Sequence, residues 1–210
     1  MHLSYLAEFL AIAGVHLLAV ASPGPDFAMV VRQSIAYGRP TALWTSVGIG
    51  LGILMHTTYS LLGIGLLIAH SLAAFTVVKI LGALYLAYIG YKSLQAKAPE
   101  VVTASPEDIH ILPTSKQALW TGFLTNALNP KATLFFLALF SVVISPATPT
   151  LIKAAYGLWM AVMTAVWFCG VSLLFSQPRV RQAFGRFGHW AERVMGAVLI
   201  AFGVRLALAR

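Results

Sequence analysis

The sequence predicts an all-α polytopic membrane protein, with six transmembrane helices arranged as two inverted three-helix repeats and both termini on the outer side. Three observations carry this expectation. Of the 210 residues, 59% are hydrophobic and only 10% are charged, with a mean hydropathy of +0.83. A soluble domain is about 45–50% apolar and about 25% charged, so a water-soluble globule would lack the polar side chains to cover its surface. The apolar residues also fall in charge-free runs of membrane-spanning length. Finally, two proline-centred interruptions stand 107 residues apart, about half the chain, at matching places in its two halves. Disorder is excluded, because apolar residues this dense do not stay solvated.

The charge-free runs place the elements. Phe9–Pro25 carries no Asp, Glu, Lys or Arg, and Pro40–Val78 is a run of 39 such residues, enough for nearly two crossings. Ile80–Tyr91, Gln117–Pro130, Ala132–Ile152, Ala154–Pro178 and Val194–Val204 follow. These runs predict helices at about 5–31, 41–67, 72–95, 117–145, 151–175 and 189–208, with boundaries good to a few residues. The chain then reads as a single transporter domain, with one repeat at 1–95, a cytoplasmic linker at 96–116 and a second repeat at 117–210. The linker region holds Pro99, Pro106, Pro113 and the acids Glu100, Glu107 and Asp108. So polar a segment belongs outside the bilayer. The small apolar stretch ending in Ala19-Val20-Ala21 is read as a first membrane helix rather than a signal peptide, since no basic residue precedes it and Glu8 interrupts it.

Orientation follows from Lys and Arg. With the N-terminus outside, nine of the 14 basic residues fall in cytoplasmic loops and only Lys153, Arg205 and Arg210 lie outside. The net charge of +8 is thereby explained as membrane topology. A nucleic-acid partner would need a basic face on a soluble body. The single cysteine, Cys169, excludes an internal disulfide or a Cys-x-x-Cys redox pair, and its expected role is a small buried hydrophobe. Gly48 and Gly52, and more weakly Ala83 and Ala87, have the spacing of close helix–helix packing.

The two interruptions are the expected functional feature. Ser22-Pro23-Gly24-Pro25-Asp26 breaks the first helix, and Asn129-Pro130-Lys131 breaks the fourth. Proline lacks an N–H and leaves a preceding carbonyl without its helical partner. Glycine admits backbone shapes that other residues avoid. A half-helix that begins after such a break points N–H groups and a partial positive charge into the gap. Broken helices at corresponding positions of two halves mark the midplane site of many secondary transporters. The gap suits a small zwitterion, with N–H groups for its carboxylate and carbonyls or Asp26 for its ammonium. The plain alternative is a pair of kinks used only for packing.

Asp26 is the one carboxylate well inside a span. An ionised Asp there costs about 2.5–3.5 kcal/mol on insertion scales, so it should face a cavity or a partner, or else be a solvated anchor near the inner end of its helix. Lys131 adjoins the second break and either pairs with Asp26 or snorkels along its stem. Asn126 and Asn129 are expected to contact substrate or to bond helix to helix. His16 and His56 lie within spans, where a hydrogen-bonded core role is expected. No ligand spacing supports a metal site with Asp26, so none is assigned. Catalytic signatures are absent: there is no Gly-x-Ser-x-Gly, His-Glu-x-x-His or phosphate-binding Gly-x-x-x-x-Gly-Lys-Ser/Thr. No catalytic residue or cofactor is expected, the protein is not expected to be an enzyme, and transport would run on an ion or substrate gradient.

At these residues the chain resembles the LysE-type superfamily of bacterial amino-acid exporters, in particular its threonine and homoserine efflux branch. Ser22–Asp26 resembles the first-helix signature, Leu81-Gly82-Ala83-Leu84-Tyr85-Leu86 with Gly90 a third-helix motif, and Leu124–Ala132 the fourth-helix signature. The resemblance implies proton-coupled antiport of small amino acids out of the cytoplasm, from a multi-pass position in the bacterial inner membrane. It also implies a substrate and proton site drawn from Ser22, Pro23, Gly24, Pro25, Asp26, Asn126, Asn129, Pro130 and Lys131. The expected partners are a small amino acid, protons and the lipid bilayer, with a homo-oligomer left open and nucleic acid excluded. Two alternatives stand beside this: a divalent metal-cation exporter of the same superfamily, and a non-transporting membrane scaffold.

Overall fold

A computed structural model describes residues 2–70 and 112–180 continuously, together with scattered positions between 73 and 95 and between 189 and 204. The predicted third and sixth spans, the Leu81–Gly90 motif and most of the linker therefore lie largely outside the described residues.

Every described element is a helix. The first predicted span is two helices, α1 (His2–Ala21) and α2 (Pro25–Ala36). Pro23 and Pro25 cannot donate to the preceding turn, so the ladder stops and the axis bends by 53°. Helix α2 begins with Pro25 at its first turn, where a missing N–H costs nothing. It ends before Gly38, whose φ of +80° turns the chain into α3 (Arg39–His70), 32 residues long. That turn, with Pro40 in the first turn of α3, sets the start slightly before the predicted residue 41.

The fourth predicted span is likewise two helices, α4 (Ser115–Ala127) and α5 (Pro130–Val142), bent by 57° at Pro130. Helix α4 starts two residues before the predicted 117 because Thr114 and Gln117 form a capping box. Each side chain bonds the other's backbone N–H, which satisfies donors that the first turn leaves open. Helix α5 stops at Val142 rather than 145. The chain beyond it folds back onto Glu8, whose carboxylate accepts from Ser145 N at 2.8 Å and from the Thr148 hydroxyl at 2.8 Å. Helix α6 (Thr150–Phe175) follows, one residue longer at its start than predicted.

Among the described residues, α6 alone is long and apolar enough to cross a bilayer as one helix, and the bent pairs α1–α2 and α4–α5 each qualify as one broken span. Only 39% of the apolar window of α6 is buried, and Leu151, Leu158, Val162 and Leu174 are exposed. So much apolar surface turned outward is what a lipid-facing helix requires.

Glycines set how closely the helices meet. A Cβ on Gly48 of α3 would collide with the Leu119 carbonyl of α4, and one on Gly122 of α4 would collide with the Thr45 carbonyl of α3. The two backbones therefore touch, the use of small residues that lipid-embedded packing favours. Gly50 meets Ala161 and Ala165 of α6 in the same way. Ser46 and Ser172 join α3 to α6 at 2.9 Å. Cys169 on α6 is partly exposed, not fully buried as expected. The main core gathers Ile12, Ile53, Phe136, Leu139 and Met160 between α1, α3, α5 and α6.

Candidate functional site

The two breaks face each other, and each reaches across to the other. Asp26 is the second residue of α2, and Lys131 is the second residue of α5. The Asp26 Oδ2 accepts hydrogen bonds from Asn126 Nδ2 at 2.9 Å and Asn129 Nδ2 at 3.0 Å. In return, the Lys131 ammonium donates to the Ser22 carbonyl at 2.8 Å, just before the first break. A carbonyl that the break leaves exposed is thus taken by a cation, which also relieves a lysine placed against the positive end of its own helix.

The predicted pairing of Asp26 with Lys131 is therefore indirect in its bonds. The two charges interact electrostatically, while amides hold the carboxylate and backbone oxygen holds the ammonium. Asn129 has a double role. Its Oδ1 caps α5 by accepting from Lys131 N at 3.0 Å, which forces its Nδ2 toward Asp26. Asn126 and Asn129 are both buried, at 1% and 4% exposure, so neither amide is left to water.

His56 was expected to be a bonded core residue, and the structure gives that role a specific form. Pro130 has no N–H for the carbonyl of Asn126, four residues back. His56 Nε2 lies 2.9 Å from that oxygen and must be the donor, since a carbonyl only accepts. The other ring nitrogen bonds the Tyr59 hydroxyl, and the ring stacks on Phe136 at 5.7 Å. Helix α3 thus fastens the second break from outside it. Gly52, one turn before His56, lets the Asn126 side chain lie against the α3 backbone.

A cavity opens between the breaks. Of the predicted site residues, Ser22, Gly24, Asp26, Asn126, Asn129 and Lys131 line it. Pro23, Pro25 and Pro130 shape the breaks without lining it. The sequence did not single out the apolar wall of Ile53, Phe135, Phe136 and Phe168, nor Thr164, which faces the same space beside His16. Three buried polar atoms near the breaks have no partner among the described residues: Asp26 Oδ1, Asn126 Oδ1 and Ser22 Oγ. The first two only accept hydrogen bonds while Asp26 is ionised, so this end of the cavity is built for donors. Among the described residues, no three His, Cys, Asp or Glu side chains gather closely enough to hold a metal ion.

A polar cradle between two interrupted apolar helices is the arrangement expected of a membrane translocator. The chain belongs to the LysE type translocator family, whose model matches residues 17–210. It is 31% identical over 205 residues to the threonine efflux protein of Escherichia coli strain K12, covering 98% of this chain and all of that protein. The threonine efflux protein of Salmonella typhi is likewise 31% identical, over 208 residues, with the same coverage. An uncharacterized membrane protein of Escherichia coli, YahN, is 28% identical over 211 residues, which span 98% of this chain and 89% of that one. No solved structure matches.

Proposed function

We propose that the chain is a secondary active exporter of small amino acids of the threonine and homoserine type, driven by inward proton flow across a bacterial inner membrane. The observation that carries this reading is the cavity at the breaks, where Asp26 Oδ1 and Asn126 Oδ1 are buried acceptors without donors. Leaving such atoms unpaired costs about 1–3 kcal/mol each, and a substrate ammonium supplies the missing hydrogens. The carboxylate of the same zwitterion finds positive charge at Lys131 and at the N-terminus of α2, which no side chain caps. The likeness to threonine efflux proteins over the whole chain supports the substrate class.

One carboxylate that binds either a proton or an ammonium, and not both, couples their movements. Asp26 takes the ammonium when open to the cytoplasm and releases it when a proton arrives from outside. Six helices in two inverted repeats, N-out and C-out, give the two access states by rocking about the breaks, and the bends of 53° and 57° at matching places support that symmetry. Reconstituted vesicles loaded with threonine or homoserine test the reading: an inward proton gradient should drive their release. Release of divalent cations without amino-acid flux would favour the metal-exporter alternative, and no flux of any solute would favour a scaffold.

A further inference from the structure

The cavity has a second polar pole that the proposed mechanism does not use. His16 on α1 is fully buried and lines the cavity, and its Nε2 lies 3.1 Å from the hydroxyl of Thr164 on α6. Its Nδ1 has no partner among the described residues. Among the described residues, the Thr164 hydroxyl makes this contact and no other. A buried hydroxyl hydrogen needs an acceptor, and here the acceptor is the Nε2 lone pair. The neutral ring then carries its hydrogen on Nδ1. Aromatic rings hold it in place: Phe135, Phe136 and Trp159 lie at centroid distances of 6.4, 6.3 and 5.9 Å. The result is a fixed, neutral N–H donor without an acceptor, in an otherwise apolar wall.

We infer that His16, oriented by Thr164, is a specificity-determining residue that donates a hydrogen bond to the side-chain hydroxyl of the transported amino acid. This rests on the proposed function and deepens it. The acceptors at Asp26 and Asn126 bind the ammonium at one end of the cavity. His16 lies six residues before Ser22, about 9 Å along the helix axis. Ser22 lines the same cavity as Asp26 and Asn126, so His16 stands along α1 from the end where the ammonium binds. A neutral donor in an aromatic surround suits a neutral hydroxyl oxygen, while the carboxylate is served by the charges at the breaks. A site built this way discriminates through what the wrong substrate leaves unpaired: valine has the shape of threonine and nothing to offer His16.

The test compares threonine and valine export from the same vesicles, expressed as a ratio of transport efficiencies. The wild-type protein should prefer threonine by about 10-fold or more. His16→Phe should lower threonine transport about 10-fold and spare valine, bringing the ratio near one. Thr164→Val, which changes shape little, frees the ring to change tautomer and should reduce the preference several-fold. A purely structural role for His16 would lower both fluxes together and leave the ratio unchanged. Equal wild-type transport of the two amino acids, or an unchanged ratio in either transport-competent variant, overturns the assignment while leaving amino-acid export standing. Absence of any amino-acid export by the wild-type protein overturns the proposed function itself.

Discussion

Gly52→Ala isolates the contact between α3 and the second break. A Cβ at position 52 would lie 2.6 Å from Asn126 Oδ1, 2.8 Å from Asn126 Cβ and 3.0 Å from its Cγ. The Asn126 side chain cannot escape by a small rotation, because its own Cβ is among the clashing atoms. Its backbone is also held, since the carbonyl accepts from His56 at 2.9 Å and from Asn129 N at 2.9 Å. The amide must therefore leave its place, and the 2.9 Å bond from Nδ2 to Asp26 goes with it. Hydrogen bonds to charged groups contribute about 1.5–3 kcal/mol, so substrate affinity or transport efficiency should fall by about 10- to 100-fold. Counterflow in vesicles measures the transport loss, and a thermal melt in detergent checks that the fold survives. Gly63→Ala is the matched control, because a Cβ on Gly63 of the same helix meets nothing within 4 Å among the described residues. Wild-type transport by Gly52→Ala would refute the claim that Asn126 must sit against α3 to hold Asp26.

Three further outcomes follow from other contacts. Lys131→Met removes the donor to the Ser22 carbonyl and the charge beside Asp26, and should reduce transport at least about 10-fold, while Lys131→Arg retains part of it because a charge-assisted donor remains; initial rates of efflux check both. Thr114→Val breaks the capping box of α4 and should cost about 1 kcal/mol, seen as a lower melting temperature with the threonine-to-valine ratio unchanged. Glu8→Ala leaves Ser145 N and the Thr148 hydroxyl without their acceptor. It should lower the melting temperature by a few degrees, whereas Glu8→Gln, which keeps an acceptor oxygen, should lower it less.

Much of the site was legible because proline acts locally. Pro23, Pro25 and Pro130 ended their helices by lacking an N–H, so both breaks and both half-helices could be placed from sequence alone. The close approach of α3 was legible too, in the spacing of Gly48 and Gly52. The start of α4 at Ser115 is open to the same reasoning, since Thr114 and Gln117 form a recognisable cap at the edge of the charge-free run from Gln117. Partner choice was a different matter. Asp26 meets Asn126 and Asn129 about 100 residues away, and His16 meets Thr164 from 148 residues away. Such pairs depend on how bent helices cross, which hydropathy does not encode. The same limit explains Lys131, where sequence offered Asp26 or the membrane surface and the fold supplied a carbonyl exposed by the other break. His56 is partly foreseeable: Pro130 removes the helical donor of the Asn126 carbonyl, which turns to Asn129 N and leaves room for a second, buried donor.

In the proposed mechanism one carboxylate, Asp26, is shared in alternation by proton and substrate. Asp26→Asn keeps the shape of the side chain and its capacity to bond Asn126 and Asn129, but it can neither ionise nor take up a proton. Threonine accumulation against its gradient, measured in vesicles with an imposed pH difference, tests the claim directly. Asp26→Asn should abolish the response to the pH difference, with any remaining flux running only down the threonine gradient. Uphill transport that still follows the proton gradient in this variant would contradict it.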